Sequence, residues 1–178
     1  MELADESGAV ARAASSAGRP ASLAPDRVER ILAAGAMVLL AAVVVALIRG
    51  RAEWGLIPWE VWPHLVTIVI AVGLTPVMLL RRRGDRRHRV LGWVWVSAMT
   101  LTALLSFNLR VINPGGFSFI HLLSAWTLVQ VPLIVWTARK HNVVRHRRAV
   151  RGMVIGALLV AGFFTFPFGR LMGNWLFG

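Results

Sequence analysis

Residues 31–48 read ILAAGAMVLLAAVVVALI, an eighteen-residue stretch that contains no polar side chain. An α-helix rises about 1.5 Å per residue, so about twenty apolar residues cross the hydrocarbon core of a bilayer. Arg49 and Arg51 follow the stretch directly. The pattern is typical of a membrane-spanning helix. Because this helix has no polar group to bury, we expect it at the lipid-facing edge of a bundle.

Four further apolar segments follow, and the same criterion predicts a membrane crossing for each. The five predicted spans are 31–48, 59–80, 90–109, 117–137 and 152–168. They predict an all-α integral membrane bundle in which helices two to five form the core. Residues 1–27 begin with an Ala-, Ser- and Gly-rich stretch without an apolar run, which predicts a flexible tail before a single transmembrane domain over 28–178. Asn113-Pro114-Gly115-Gly116 predicts a tight turn between spans three and four.

The composition supports a membrane protein and excludes several kinds of site. Hydrophobic residues make up 57% of the chain and charged residues 16%, against about 45–50% and 25% in a soluble domain. Cysteine is absent, which excludes disulfides, thiolate metal sites and covalent c-type haem attachment. The net charge of +12 could indicate nucleic-acid binding. The basic residues border apolar segments, however, so we predict the lipid bilayer as the partner and no nucleic acid.

The distribution of Lys and Arg predicts the orientation in the membrane. The N-terminal segment, the loop between spans two and three and the loop between spans four and five together hold sixteen of them, and the alternate segments hold four. Basic loops stay in the cytoplasm. The N-terminus is therefore predicted in the cytoplasm and, after five crossings of the inner or plasma membrane, the C-terminus outside.

Four of the five histidines fall at matching depths. Spans two and four run in the same direction and carry His64 and His121 near their outer ends. Spans three and five run the other way, with His88 and His146 at or just before their inner ends. The sequence thus predicts one histidine pair near each face of the membrane, each drawn from two parallel helices.

Paired histidines on facing helices are a known way to hold a b-type haem. Neutral imidazole is a good axial ligand for haem iron, and bundle cores commonly hold cofactors. Arg89 and Arg147 adjoin the inner pair and could contact the anionic propionates. Gly92 lies four residues after His88, on the same helix face. The leading hypothesis is therefore a haem b protein that transfers electrons to or from a redox partner that the sequence does not identify.

Two other interpretations stay open, and no catalytic residue is assigned. The histidines could be structural, with those in the Arg-rich loops contacting water or headgroups and those in the spans hydrogen-bonding a neighbouring helix. Alternatively, Glu60, His64 and His121 could form a two-histidine, one-carboxylate metal site at the outer face, because Glu60 and His64 are four residues apart.

Short motifs also suggest a family. From about Pro58 to Leu171 the chain resembles the bacterial membrane-protein family called domain of unknown function 2306. The resemblance rests on His88-Arg89-Val90-Leu91-Gly92, His121-Leu122-Leu123-Ser124, His146-Arg147-Arg148 and Gly169-Arg170-Leu171. In topology the chain is also distantly similar to the cytochrome b561 type of two-haem membrane cytochrome. That likeness implies one haem between helices two and four and another between helices three and five, the latter close to the predicted water interface.

Overall fold

A computed structural model describes residues 23–109 and 119–178, with side chains after the gap described from His121. Helix α1 spans Arg27–Arg49 and continues as a 3-10 helix over Gly50–Leu56; α2 spans Val61–Leu80, α3 Arg86–Ser106 and α4 Phe119–Arg139. Helix α5, Val143–Met153, continues as a π-helix over Val154–Val160 and a short α-helical turn over Ala161–Phe163, and α6 spans Leu171–Phe177. These two ranges contain no strand. Residues 1–22 of the predicted tail over 1–27, and the predicted turn at 113–116, lie outside the described residues.

Four helical stretches in the described ranges are long and apolar enough to cross a membrane. They are Arg27–Leu56, Val61–Leu80, Arg86–Ser106 and His121–Arg139. They overlap the first four predicted spans, and they fit a multi-pass membrane protein. The fifth predicted span, 152–168, does not form one regular α-helix, because the helix changes to π geometry at Val154 and ends at Phe163.

Two helices begin earlier than the hydropathy pattern predicts, because polar residues in the basic loops cap them. Helix α3 begins at Arg86 rather than at 90, since the Asp85 carboxylate accepts from the backbone N–H of His88. Helix α5 begins at Val143 rather than at 152, since the Asn142 side chain accepts from the N–H of Arg145 at 3.1 Å. Such caps satisfy the free N–H groups of a first turn. His88 and His146 therefore lie within helices rather than before them.

The core draws on α1 as well as on the later helices. Helix α1 contributes Leu32, Ala33 and Leu39 to the main cluster of buried side chains, which continues through Trp95 and Met153. The expectation that helices two to five form the core is therefore incomplete. Helix α1 packs against α2, and its Ala33, Ala36 and Ala46 are fully buried, while its other face, including Val38 at 70% exposure, stays uncovered. The all-apolar sequence conceals this difference between the two faces.

Hydrogen bonds between side chains join α2 to α3 inside the bundle. The Trp95 indole N–H donates to Thr75 Oγ1 at 2.9 Å, and the Thr102 hydroxyl donates to Thr67 Oγ1 at 2.9 Å. In a membrane the polar groups of neighbouring helices satisfy one another because water is absent. These two bonds fix the register of α2 against α3.

The C-terminal part of the chain contacts both ends of α1. At the start of α1, Glu29 pairs with Arg147 of α5. At its end, Arg49 Nη1 donates to the carbonyl of Leu176 in α6 at 2.6 Å, and the Trp175 indole donates to Glu53 at 2.9 Å. The helical stretch that begins with α5 therefore runs in the same direction as α1.

Candidate functional site

A cavity of about 670 Å³ lies at the end of the bundle where α3 and α5 begin and α4 ends. Its volume is in the range of typical small-molecule sites, which run from about 300 to 1,000 Å³. Apolar side chains such as Met78, Trp95 and Val154 line one part of it, and arginines and histidines line the rest. This lining suits a ligand with an apolar body and an anionic edge.

All five residues that the sequence assigns to an inner cofactor site line this one cavity. They are His88, Arg89 and Gly92 of α3 together with His146 and Arg147 of α5. Helix geometry explains the grouping on α3, since His88 and Gly92 are four residues apart and share a face. The caps at Asp85 and Asn142 start the two helices just before the histidines. His88 is the third residue of α3, and His146 is the fourth residue of α5.

The imidazole of His88 has an unusual environment. Its Nδ1 is buried and makes no hydrogen bond with any atom in the described parts of the chain. A buried polar atom without a partner is rare in proteins, because leaving it unsatisfied costs about 1–3 kcal/mol. The ring borders the cavity, so a group bound there is one way to satisfy it.

His146 has a defined tautomer. Its Nδ1 lies 3.2 Å from the carbonyl oxygen of Ile134. A carbonyl can only accept, so Nδ1 carries the proton and Nε2 carries the lone pair. Burial lowers the pKa of His146 below its ordinary value, the bond to Ile134 opposes that shift, and the charge of Arg83 adds to it. His146 is therefore neutral at pH 7, the state in which an imidazole can ligate a metal.

Gly92 leaves open space in the cavity wall. A Cβ atom built at Gly92 would meet only the terminal Cε of Met78, at 3.5 Å. That distance is an ordinary van der Waals contact with a flexible side chain, so the packing of the described residues does not by itself require glycine here. The absence of a side chain does let a flat ligand approach the α3 backbone.

The charge around the cavity is predominantly positive. Its lining includes Arg83, Arg89, Arg139 and Arg147 and one carboxylate, that of Glu29. Arg89 Nη1 donates to the carbonyl of Gly84 at 3.1 Å. Within residues 23–109 and 121–178, neither Arg89 nor Arg139 forms a salt bridge. The unneutralised charge favours an anionic ligand.

Asp26 and Glu29 together form an acidic clamp, and Glu29 lines the cavity. Glu29 is 1% exposed and contacts Arg83, Arg147 Nε at 3.0 Å and Arg151 Nη2 at 3.1 Å. Asp26 accepts from Arg147 Nη2 at 2.7 Å and also contacts Arg151. Arg147, which the sequence assigns to a haem propionate, therefore already contacts two carboxylates of the protein.

Sequence reasoning missed the acidic clamp, although a local signal for it exists. Asp26 and Glu29 have the spacing of a capping box, and the structure contains both of its reciprocal bonds, each 3.1 Å long. The capping box marks a helix start at Arg27. It gives no indication that Arg83, Arg147 and Arg151 converge on the same carboxylates from distant parts of the sequence.

The outer histidines lie at the opposite end of the bundle, both beside the end of α3. His64 Nδ1 lies 3.3 Å from the carbonyl oxygen of Thr102 and 3.2 Å from Ser106 Oγ. His121 is 6% exposed, and its ring centroid lies 5.8 Å from that of Phe107. The two residues thus share a level, and the contacts of His64 run to α3.

The third residue of the alternative metal site, Glu60, lies at the N-cap position of α2. Glu60 is exposed and precedes α2, which begins at Val61. In the described part of the chain, no group of three or more His, Asp or Glu side chains is arranged to hold a metal ion. Glu60 and His64 are thus about one helical turn apart, but His121 does not complete a metal site with them.

Comparison with known proteins gives no match for this chain: no family model, no curated protein and no solved structure is significantly similar to it.

Proposed function

We propose that this chain is a haem b-binding membrane protein that transfers electrons, with a haem held in the cavity between His88 and His146. The observation that carries the proposal is the convergence of these two histidines from α3 and α5 on one cavity. A bis-histidine haem needs two neutral imidazoles from different elements. The resemblance to the domain of unknown function 2306 family and to cytochrome b561 topology belongs to the same proposal.

The residues around the cavity fit a haem in three ways. His88 has a buried, unpartnered ring nitrogen, and His146 holds its proton on Nδ1 through Ile134, which leaves Nε2 free. Such a hydrogen bond to the second nitrogen is the usual support of an imidazole ligand. The apolar lining suits the porphyrin, and Arg89 suits the anionic propionates.

In this proposal the carboxylates of the acidic clamp, rather than a haem propionate, pair with Arg147. Arg147 serves mainly to hold Glu29 and Asp26 against α5, while Arg89 supplies the positive charge beside the cavity. When bound, haem iron supplies one-electron chemistry by alternating between ferric and ferrous states. The protein contributes two neutral imidazoles, an apolar wall that includes Trp95, and compensation of the negative charge.

We further propose five crossings, with the N-terminus in the cytoplasm and the C-terminus outside an inner or plasma membrane. Two observations support this orientation. Sixteen of the twenty Lys and Arg residues lie in the segments predicted to be cytoplasmic. The helical stretch that begins at Val143 starts beside the start of α1, and α6 packs at the end of α1. The predicted fifth span, 152–168, contains no charged side chain, as the hydrocarbon core requires.

The test is the absorption spectrum of the full chain purified from haem-replete cells. We expect a Soret band that sharpens on reduction, and loss of the signal of this haem in both His88→Ala and His146→Ala. His141→Asn is the matched control, because His141 lines the same cavity, is exposed, and has a positive φ that Asn tolerates. A colourless wild-type protein, or equal haem content in all variants, contradicts the proposal.

A second candidate function is non-catalytic, with structural histidines, and the contacts of His64 favour it for the outer pair. His64 bonds to Thr102 and Ser106 of α3, which is what a structural histidine between two helices does. The His64→Ala variant separates the two candidates. Loss of one of two haem signals supports an outer haem with His121, while lowered thermal stability with unchanged haem supports the structural role.

A further inference from the structure

A second concave surface lies on the outside of the bundle between α3 and α4. This groove has a volume of about 670 Å³. Both helices line it, α3 with Trp93, Val96, Ser97, Thr100 and Leu101 and α4 with Val131, Pro132, Val135, Trp136 and Arg139. Trp93 and Trp136 are 54% and 50% exposed, so the groove faces the surroundings of the bundle.

The chemistry of the groove changes along its length. Arg139, Trp93 and Trp136 lie at the end where α3 starts and α4 finishes, which is the cytoplasmic end in the proposed topology. Leu101 and Val131 lie at the other end, roughly 12 Å deeper for eight residues at about 1.5 Å each. Tryptophan favours the membrane–water interface, and aliphatic side chains favour the hydrocarbon. The groove therefore runs from the interface into the acyl-chain region.

The interfacial end of the groove has uncompensated positive charge. The Arg139 guanidinium lies 5.9 Å from the centre of the Trp93 ring, a cation–π contact that holds it over the groove. No salt bridge involves Arg139 in the ranges 23–109 and 121–178. Lys140 follows it directly, and both are exposed. An anion at this position therefore meets a cation that no described carboxylate neutralises.

We propose that this groove binds one anionic phospholipid of the cytoplasmic leaflet. Arg139 contacts the phosphate, and one acyl chain lies along the groove towards Leu101. Ser97 is one helical turn deeper than Trp93 and exposed in the groove, so its hydroxyl is placed to donate to a glycerol ester carbonyl. Charge complementarity selects an anionic lipid, because Arg and Lys near the membrane surface attract anionic headgroups by about 1 kcal/mol each.

The proposed lipid would lie directly behind the wall of the inner cavity. Trp93, Val96, Val135 and Arg139 line both the groove and the cavity. The lipid proposal rests on the membrane orientation of α3 and α4, and it does not depend on a haem. Bound lipid is measured by mass and haem by absorbance, so failure of either proposal is visible separately.

The experiment is native mass spectrometry of the full chain, delipidated in detergent and given equal amounts of phosphatidylglycerol and phosphatidylcholine with the same acyl chains. We expect wild type to retain one phosphatidylglycerol in preference to phosphatidylcholine. Arg139→Gln should bind it about fivefold more weakly, since about 1 kcal/mol is lost with each basic residue near the headgroups. Arg145→Gln is the matched control, because Arg145 is exposed in the same basic region but does not line the groove.

Two further variants test the position of the acyl chain. Ser97→Phe and Leu101→Trp fill the groove while Arg139 stays in place, so both should lose the retained lipid. Both residues are exposed, so these variants should keep the wild-type melting temperature. The proposal is overturned if Arg139→Gln retains phosphatidylglycerol as wild type does, if Arg145→Gln loses as much, or if both groove-filling variants retain it.

Discussion

Arg147 Nε donates to Glu29 Oε1 at 3.0 Å, and this contact joins the first turn of α1 to α5. Arg83 and Arg151 contact the same carboxylate, so three guanidinium groups surround a side chain that is 1% exposed. A charge removed from water to this extent is stable only when opposite charges and hydrogen bonds compensate it. The acidic clamp therefore sets where α1 packs, and it forms part of the rim of the candidate site.

Removal of the charge of Glu29 should destabilise the fold strongly. In Glu29→Gln, Arg83 at 9% exposure loses its carboxylate partner, while Arg147 keeps Asp26. Breaking one side of a buried ion pair costs about 3–5 kcal/mol, because the remaining charge stays buried without a partner. We expect a clear fall in the melting temperature of the purified protein in detergent.

Asp26→Asn is the matched control for this prediction. The side chain of Asp26 is 44% exposed, so water screens its contacts with Arg147 and Arg151. Its loss should lower the melting temperature much less than that of Glu29. An equal effect of the two variants would show that the buried position of Glu29 has no special importance.

Truncation of the N-terminus should lower the stability of the protein once residues 23–25 are removed. Arg83 donates from Nη1 to the carbonyls of Leu23 and Ala24, at 3.2 and 3.3 Å. A chain that begins at residue 26 loses these acceptors, whereas a chain that begins at residue 23 keeps them. Hydrogen bonds from a charged donor contribute about 1.5–3 kcal/mol each, and water replaces part of that contribution.

The measurement is thermal unfolding of the two truncated proteins side by side. We expect the shorter protein to be less stable by about 1–2 kcal/mol, since Arg83 also compensates Glu29 and is weakened in that role. Equal melting temperatures of the two proteins would mean that the contacts of Arg83 with Leu23 and Ala24 contribute nothing to stability.

The sequence predicted the parts of the fold that depend on local composition. The apolar stretch 31–48 marks α1, and the alternating directions of the helices place His88 and His146 at one level, where both line one cavity. The sequence did not predict that Glu29 would be buried, because its partners Arg83 and Arg147 are distant in sequence and only packing brings them together. Capping by Asp85 and Asn142 starts α3 and α5 several residues before the positions that hydropathy predicted.

The C-terminal helix is a second feature that hydropathy could not predict. Helix α6 covers only seven residues, Leu171–Phe177, which is too short to cross a membrane. Its position depends on Gly50, since a Cβ atom there would lie 2.0 Å from Cδ2 of the Trp175 ring. A glycine in a sequence gives no indication of which distant side chain will pack against it.

Stability of the ligand-free protein should fall as the pH drops below about 6.5. Burial holds the pKa of His146 below its ordinary value of 6.5, with the charge of Arg83 acting in the same direction and the bond to Ile134 opposing. The unfolded chain therefore takes up a proton at a higher pH than the folded chain does. Stability is fully present above the unfolded value and declines as the pH falls towards the folded value.

His146→Asn isolates this contribution, because the asparagine amide can place an N–H donor at the position of Nδ1, towards Ile134, and does not titrate. Its melting temperature should fall less than that of wild type between pH 7.5 and pH 5.5. The exposed His141 provides the control, and His141→Asn should retain the wild-type pH dependence. An unchanged pH dependence in His146→Asn would assign the effect to other groups.

The orientation of the C-terminal part can be tested by cysteine labelling, because the chain contains no cysteine of its own. Single cysteines in Gly178→Cys and Arg148→Cys flank the proposed fifth crossing. In right-side-out membrane vesicles, a membrane-impermeant maleimide should label the first from outside and leave the second unlabelled until the vesicles are opened. The reason is twofold: the basic segment that contains Arg148 should stay in the cytoplasm, and α6 packs beside the outer end of α1 through Trp175 and Glu53. Labelling of both cysteines from the same side would exclude a fifth crossing. Protection of position 178 alone, with Arg148→Cys labelled from outside, would reverse the proposed orientation.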